Sequence, residues 1–364
     1  MTAIRPELIA AEHPGYVYPQ APRNVYWETT RACDLACRHC RADAHPERDP
    51  RELSTGDAMA LMRDVSRMGS LLILTGGDPI KRADLFEIME YGRELHLPMA
   101  ITPSTTPTLT REVVERFARL GVAALGLSID APTAALHDGF RRVEGTFECS
   151  MRALEWAREL RIPVQVNTTV STDTLPHLDD LYRLLASTAA PPVRRWSLFL
   201  LVPVGRGETL GMPSPGQVDE LFGWVYRTAP DAPFHMGTVE APHYRRFWIQ
   251  RQQAGGTSDD EIARRALRMG FGVRDGNGVI FVSHTGDVFP AGFLPYPRIG
   301  NVRRRRLSLM YRQSPALREL RDADKLRGRC GHCTFRWACG GSRARAWATS
   351  GDVLAEDPLC DHQP

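Results

Sequence analysis

Lysine is nearly missing from this chain. Only Lys81 and Lys325 interrupt an otherwise all-arginine basic set in 364 residues that carry 46 basic and 43 acidic side chains, which reads as genomic bias and not as chemistry. Net charge is scarce as well. A formal +3 supplies no bulk positive field, which disfavours a nucleic-acid binder. Long apolar runs are absent: Trp196 to Val204 is among the longest, about half of the roughly 20 residues a spanning helix needs. Met1 to Gln20 carries charges, prolines and histidines where an export signal would place an apolar stretch. The expectation is a cytoplasmic protein with no membrane and no nucleic-acid partner. Disorder is excluded as the main state, because 43% of the residues are hydrophobic and only 24% charged. A reducing compartment also disfavours structural disulfides, so the eight cysteines need another explanation.

From about Arg23 to Val239 short β-rich runs alternate with segments of helical period. The runs 24–29, 71–75, 99–102, 123–129, 163–170 and 196–201 are mostly apolar or β-branched, as parallel strands covered on both faces are. Helices are expected near 54–68, 83–94, 111–120, 146–160 and 174–186. The first has Ser54 with Asp57 as its cap and Ala58, Leu61, Met62, Val65 and Met68 on one face. Six β-then-α units predict a parallel sheet, open or curled into a partial barrel, with ligands at the carboxyl ends of its strands. After about Glu240 the rhythm changes to arginine-rich helix with a break at 255–258, a hairpin over 278–290 and a cysteine-rich tail. The expected organisation is an extension over 1–22, a barrel over 23–239 and a small α+β unit over 240–364, with no flexible linker and no internal repeat.

Seven cysteines form two groups. Cys33, Cys37 and Cys40 follow the first strand with three and two residues between them. Three thiolates on one loop can grip a cuboidal iron-sulfur cluster and leave one iron open; zinc usually asks for a fourth protein ligand. Cys330, Cys333, Cys339 and Cys360 form a complete set of four, and by spacing alone suit structural zinc or a fully ligated cluster equally. Cys149, near a helix start, reads as a core thiol.

The first group resembles the signature of the radical S-adenosylmethionine superfamily. Members bind the cofactor's amine and carboxylate at the open iron of a [4Fe-4S] cluster and cleave it reductively to a 5'-deoxyadenosyl radical. Thr75-Gly76-Gly77-Asp78-Pro79 resembles the family's Gly-Gly-Glu-Pro turn, with Asp78 one methylene shorter than the usual glutamate. The resemblance implies further cofactor contacts at His39, Ser104, Ser128, Asp130, Arg141 and Asn167. Leu201, in the stretch Leu201 to Gly207, would pack on adenine. The tail resembles the auxiliary-cluster domain of SPASM or twitch type. Its Gly340-Gly341-Ser342-Arg343-Ala344-Arg345-Ala346 phrase is similar to the branch that modifies tetrapyrrole side chains in heme biosynthesis. A second auxiliary cluster would need a cysteine where Ala291 stands, and the tetrapyrrole branch often has one at Ser342. One auxiliary [4Fe-4S] cluster on Cys330, Cys333, Cys339 and Cys360 is therefore expected.

These residues imply an oxidoreductase or lyase that abstracts hydrogen from its substrate, fed by an external electron donor such as flavodoxin or ferredoxin. A tetrapyrrole side chain is the first substrate class. A ribosomally made peptide is the second, although the residues before the first strand are few for a folded leader-binding domain. An iron-sulfur carrier or sensor without radical chemistry would have no use for the Gly76-Gly77 turn. Glu240, His243, Tyr244, Arg245 and Arg246 read first as a solvated basic helix face and second as candidate substrate contacts, their arginines suited to bidentate carboxylate binding. Arg303 to Arg306 reads as an exposed patch on the barrel or in solvent.

Overall fold

The computed structural model describes residues 18–188, 193–269 and 274–364. Most of the expected 1–22 extension thus lies outside the described residues. Each expected strand is present within a few residues: β1 (Asn24–Glu28), β2 (Leu71–Thr75), β3 (Met99–Ile101), β4 (Ala124–Ser128), β5 (Val164–Val170) and β6 (Val193–Leu200). A seventh, β7 (His235–Val239), pairs parallel to β6. It escapes the sequence because it is short, its first residue is exposed, and only Met236 is fully covered.

The tail does not stand apart from this sheet. The predicted hairpin forms as β8 (Val279–Val282) and β9 (Asp287–Phe289), followed by β10 (Gly300–Asn301). Because β8 pairs parallel to β1, all ten strands make one sheet in the order β10-β9-β8-β1-β2-β3-β4-β5-β6-β7. The sheet is open, with β7 and β10 at its ends. It is also curved. The Phe199 ring of β6 lies 6.2 Å from Phe293, four residues past β9, although β6 and β9 are seven places apart in the sheet, about 34 Å if it were flat.

Alternation along the strands divides the two faces. Val25, Trp27, Leu72, Leu74, Leu125, Leu127, Val164 and Val166 are buried in the main core. The helix Thr55–Arg67 has the predicted cap, Ser54 and Asp57 completing a reciprocal capping box, and buries Ala58, Leu61, Met62 and Val65. The alternate residues Gln165, Asn167 and Thr169 of β5 are half-buried and in register with Arg195, Ser197 and Phe199, which gives the opposite face a polar lining. Within 23–239 two helices lie outside the expected set, Ala134–Arg141 and Pro215–Thr228, although Ser214 and Gln217 form a capping box on the second with Pro215 in its first turn. No described helix is long and apolar enough to cross a membrane.

Candidate functional site: two cysteine clusters at the strand ends

The loop after β1 is folded back on itself. Cys33 N donates to His45 O (2.8 Å) and His45 N to Arg31 O (3.4 Å). Cys33 and Cys37 are buried and Cys40 half-buried, packed with Leu35 and Ala44. Each sulfur faces a donor: Leu35 N at 3.4 Å from Cys33, Arg141 Nη1 at 3.9 Å from Cys37 and Ala44 N at 3.5 Å from Cys40. Burial pushes the Cys37 thiol up to about 11.

The glycine turn after β2 packs directly on this loop. Gly77 N donates to Thr30 O (2.8 Å) and Asp78 N to Ala32 O (2.7 Å). A Cβ at Gly76 would stand 2.3 Å from Thr30 O, and one at Gly77 only 2.4 Å from Ala32 O. The two glycines are thus required for chain-on-chain contact, which places the turn against the cysteine loop. Ser104, just beyond β3, joins the two: its Oγ donates to Gly77 O (3.0 Å) and lies 3.2 Å from Cys33 Sγ. Asp78 is fully buried and accepts from Ile80 N, Ser104 N and Thr108 Oγ1. Burial raises its carboxyl to about 6.

Asp130 and Arg141 pair with each other. Arg141 Nε and Nη2 donate to Asp130 Oδ2 at 3.0 and 2.6 Å, and Thr169 N donates to Oδ1 at 2.8 Å. Burial alone would raise the Asp130 carboxyl, but the guanidinium overrides it and holds it at about 2. His39 stacks on Phe140, centroids 4.7 Å apart, with Nδ1 buried and unpartnered; burial keeps its pKa at about 4. Ser128 and Asn167 are register partners on β4 and β5, both half-buried, and Gln165 Nε2 donates to Asn167 Oδ1. Leu201 is buried with Phe140 and Leu210. Eight of the ten expected cofactor contacts therefore lie in the cysteine loop or at the carboxyl ends of β2, β3, β4 and β6; Asn167 lies midway along β5, and Arg141 ends the helix Ala134–Arg141 and reaches the strand ends through Asp130.

Sequence reasoning missed the brace of this loop. Arg206 Nε donates to Cys37 O (2.9 Å), its Nη1 to Ala44 O (2.8 Å) and its backbone N to Cys40 O (3.1 Å). Gly205 is left-handed at φ 56, and a Cβ there would meet Cys40 O at 2.6 Å. Glu28, at the end of β1, was missed too. It accepts from Arg41 Nη1 (3.3 Å) and contacts His284 Nδ1 (2.7 Å), tying the β8–β9 hairpin to the loop.

The second group lines one pocket, whose walls include all of Cys330, Cys333, Cys339 and Cys360. Phe335 N and Gly341 N donate to Cys333 and Cys339 at 3.3 and 3.4 Å, and Arg343 Nη2 lies 3.8 Å from Cys330 Sγ. Arg343 and Arg345 are fully buried. Arg345 binds Asp357 through Nε (2.8 Å) and Nη2 (2.9 Å) and donates to the backbone oxygens of Leu201 (3.3 Å) and Glu240 (2.8 Å), at the ends of β6 and β7. A buried Arg-x-Arg pair opening a helix was the available signal. Of the expected substrate contacts, His243 and Arg246 line the cysteine cavity instead, and Arg245 Nη1 donates to Ala338 O (3.4 Å). Arg303 contacts the barrel through Asp57 and Glu52 O, as anticipated.

Among the described residues no group of three or more His, Cys, Asp or Glu side chains is drawn together for a metal ion. A cuboidal cluster, with a separate iron for each thiolate, asks for a wider set than one ion does. Seven buried or half-buried sulfurs with N–H donors and a cavity beside four of them fit that requirement.

A family model described as the radical SAM superfamily matches residues 27–185. An AdoMet-dependent heme synthase of Oleidesulfovibrio alaskensis is 40% identical, over 94% of this chain and 88% of the relative. One of Methanosarcina barkeri is 35% identical, over 94% and 97%. The fold is similar to that of Streptococcus suis SuiB bound to precursor peptide SuiA, with a TM-score of 0.75, 16% identity and coverage of 98% of this chain and 80% of SuiB.

Proposed function

The chain belongs to the radical S-adenosylmethionine superfamily and is an enzyme of it, and on that premise we propose that it oxidatively decarboxylates propionate side chains of a tetrapyrrole. The observation that carries this reading is the 40% identity to a heme synthase over nearly the whole chain, joined to the Gly-Gly-Ser-Arg-Ala-Arg-Ala phrase beside the second cysteine group. A peptide substrate draws support from fold neighbours at 16% identity, SuiB with its precursor peptide and anSMEcpe with bound peptides.

Cys33, Cys37 and Cys40 would hold the cluster with the open iron. With S-adenosylmethionine bound, that cluster supplies the 5'-deoxyadenosyl radical, the family's hydrogen-abstracting agent. Gly76, Gly77, Asp78 and Ser104 fix the loop against β2 and β3, and His39 with Phe140 and Leu201 offers an apolar wall. Ser128 and Asn167 present polar groups on β4 and β5. Arg141, held by Asp130, keeps its Nη1 toward Cys37. Cys330, Cys333, Cys339 and Cys360 would hold one auxiliary [4Fe-4S] cluster, which supplies one-electron redox chemistry. The division of labour follows the proposed boundaries, 23–239 for radical generation and 240–364 for the auxiliary cluster, with a flavodoxin or ferredoxin as external donor.

Turning a propionate into a vinyl group removes one hydrogen atom, one carbon dioxide and one electron. The protein's part is to hold the substrate carbon near the radical, exclude water and give the electron an exit. The test is anaerobic incubation of reconstituted enzyme with S-adenosylmethionine, dithionite and iron-coproporphyrin III, read by mass spectrometry. Loss of carbon dioxide with two hydrogens per propionate, matched by 5'-deoxyadenosine, is expected. Formation of 5'-deoxyadenosine with an unchanged porphyrin would remove the substrate reading and leave the enzyme class.

A further inference from the structure

One wall of the auxiliary cavity carries polar atoms that the chain leaves unfinished. His243 and Arg246 line it alongside the four cysteines. They open the helix His243–Ala254 and, three residues apart, lie on one side of it. Leaving a buried polar atom without a partner costs about 1–3 kcal/mol. Yet His243 Nδ1, His243 Nε2 and Arg246 Nε all lack one, in side chains whose residues are 0% and 5% exposed.

Neither side chain is free to turn away. Arg246 Nη1 donates to Gln250 Oε1 (2.8 Å) and Nη2 to Asp219 Oδ1 (3.2 Å), while its Nε–H is a buried donor with no partner. The His243 ring packs edge-on against Phe222 at 4.8 Å, and its Nδ1 stands 3.7 Å from Asp357 Oδ2, beyond hydrogen-bond length. Asp357 is itself occupied by Arg345 and Ser342 N. An arginine held at two corners beside a cysteine cavity is placed for the contents of that cavity.

Resting on the reading that the four cysteines hold a cluster, we propose that Arg246 and His243 are its redox-tuning contacts, Arg246 Nε–H and a ring N–H of His243 donating to its sulfurs. Reduction adds negative charge to a cluster, so N–H donors and a nearby cation stabilise the reduced form and raise the potential. The auxiliary centre is thereby biased toward accepting an electron. Both side chains are buried, where the sequence pattern favours a solvated helix face and offers substrate binding second.

The test removes the first cluster by Cys33→Ala, Cys37→Ala and Cys40→Ala together, so that iron, sulfide and the paramagnetic signal report the second alone. In this background Arg246→Met, Arg246→Lys and His243→Phe are reconstituted anaerobically and titrated potentiometrically. Arg246→Met is expected to disfavour the reduced state about tenfold, which is ~59 mV for a one-electron couple. Arg246→Lys, which keeps the charge and loses Nε–H, should fall between. His243→Phe should shift in the same direction. Unchanged potentials at full iron content overturn the tuning role. Should Arg246→Met fail to retain iron, Arg246→Lys decides, and a potential equal to that of the background overturns the proposal. A background protein holding no four-iron cluster would overturn the cluster reading itself, and iron content separates that failure from the first.

Discussion

Replacing Arg345 by methionine removes a guanidinium that is 0% exposed and that faces a carboxylate equally buried. Two of its bonds go to Asp357 and two to the backbone oxygens of Leu201 and Glu240. Truncating one partner of a buried pair leaves the other charge desolvated and costs about 3–5 kcal/mol; the two orphaned carbonyls act in the same direction. Burial alone would raise the Asp357 carboxyl, but the guanidinium outweighs it and holds it well below the usual carboxylate range. A depressed carboxyl stabilises the fold above its ordinary pKa and stops doing so as pH falls through its folded value, so the full loss is present at pH 7. The assay is urea unfolding of the cluster-free protein under argon, with Arg183→Met as control. The Arg183–Asp179 pair has side chains 69% and 54% exposed, and pairs of that kind contribute about 0–1 kcal/mol. An Arg345→Met protein within about 1 kcal/mol of the parent would refute the assignment of this pair as the tie between the ends of β6 and β7 and the Cys339–Cys360 segment.

Gly77→Ala should abolish iron binding at the first cysteine group while sparing the second, because its Cβ would stand 2.4 Å from Ala32 O and 2.6 Å from Arg31 O; iron and sulfide counts on the reconstituted protein check it. The shift of Asp130 from 3.8 to about 2, at 1.36 kcal/mol per pH unit, corresponds to about 2 kcal/mol of stability. That stability is in place above pH 3.8 and is lost as pH falls through 2, so Asp130→Asn should remove this part of the acid transition, measured by circular dichroism between pH 5 and pH 2. Cys37→Ala should abolish 5'-deoxyadenosine formation while Cys333→Ala retains some of it, and equal formation by wild type and Cys37→Ala would defeat the assignment of the first group.

Much was determined by local pattern alone. The β-branched runs placed six strands within a few residues, because a parallel strand covered on both faces has an apolar signature of its own. The spacings within 33–40 and 330–360, and the glycine pair at 76–77, marked both cysteine groups, since those residues are set out along short stretches of chain. Tertiary structure alone decided what lies across from each of them. Short, half-covered β7 carries no such signature, and β8 joins β1 across more than two hundred residues. Arg206 braces a loop some 165 positions earlier, the Gly76-Gly77 turn accommodates protein backbone, and Arg246 lines the cysteine pocket where its sequence context favoured a solvated helix face. An arginine reads the same in a sequence whether it meets solvent, a propionate or a cysteine cavity. Its partner is fixed by which distant strand ends the curved sheet brings together.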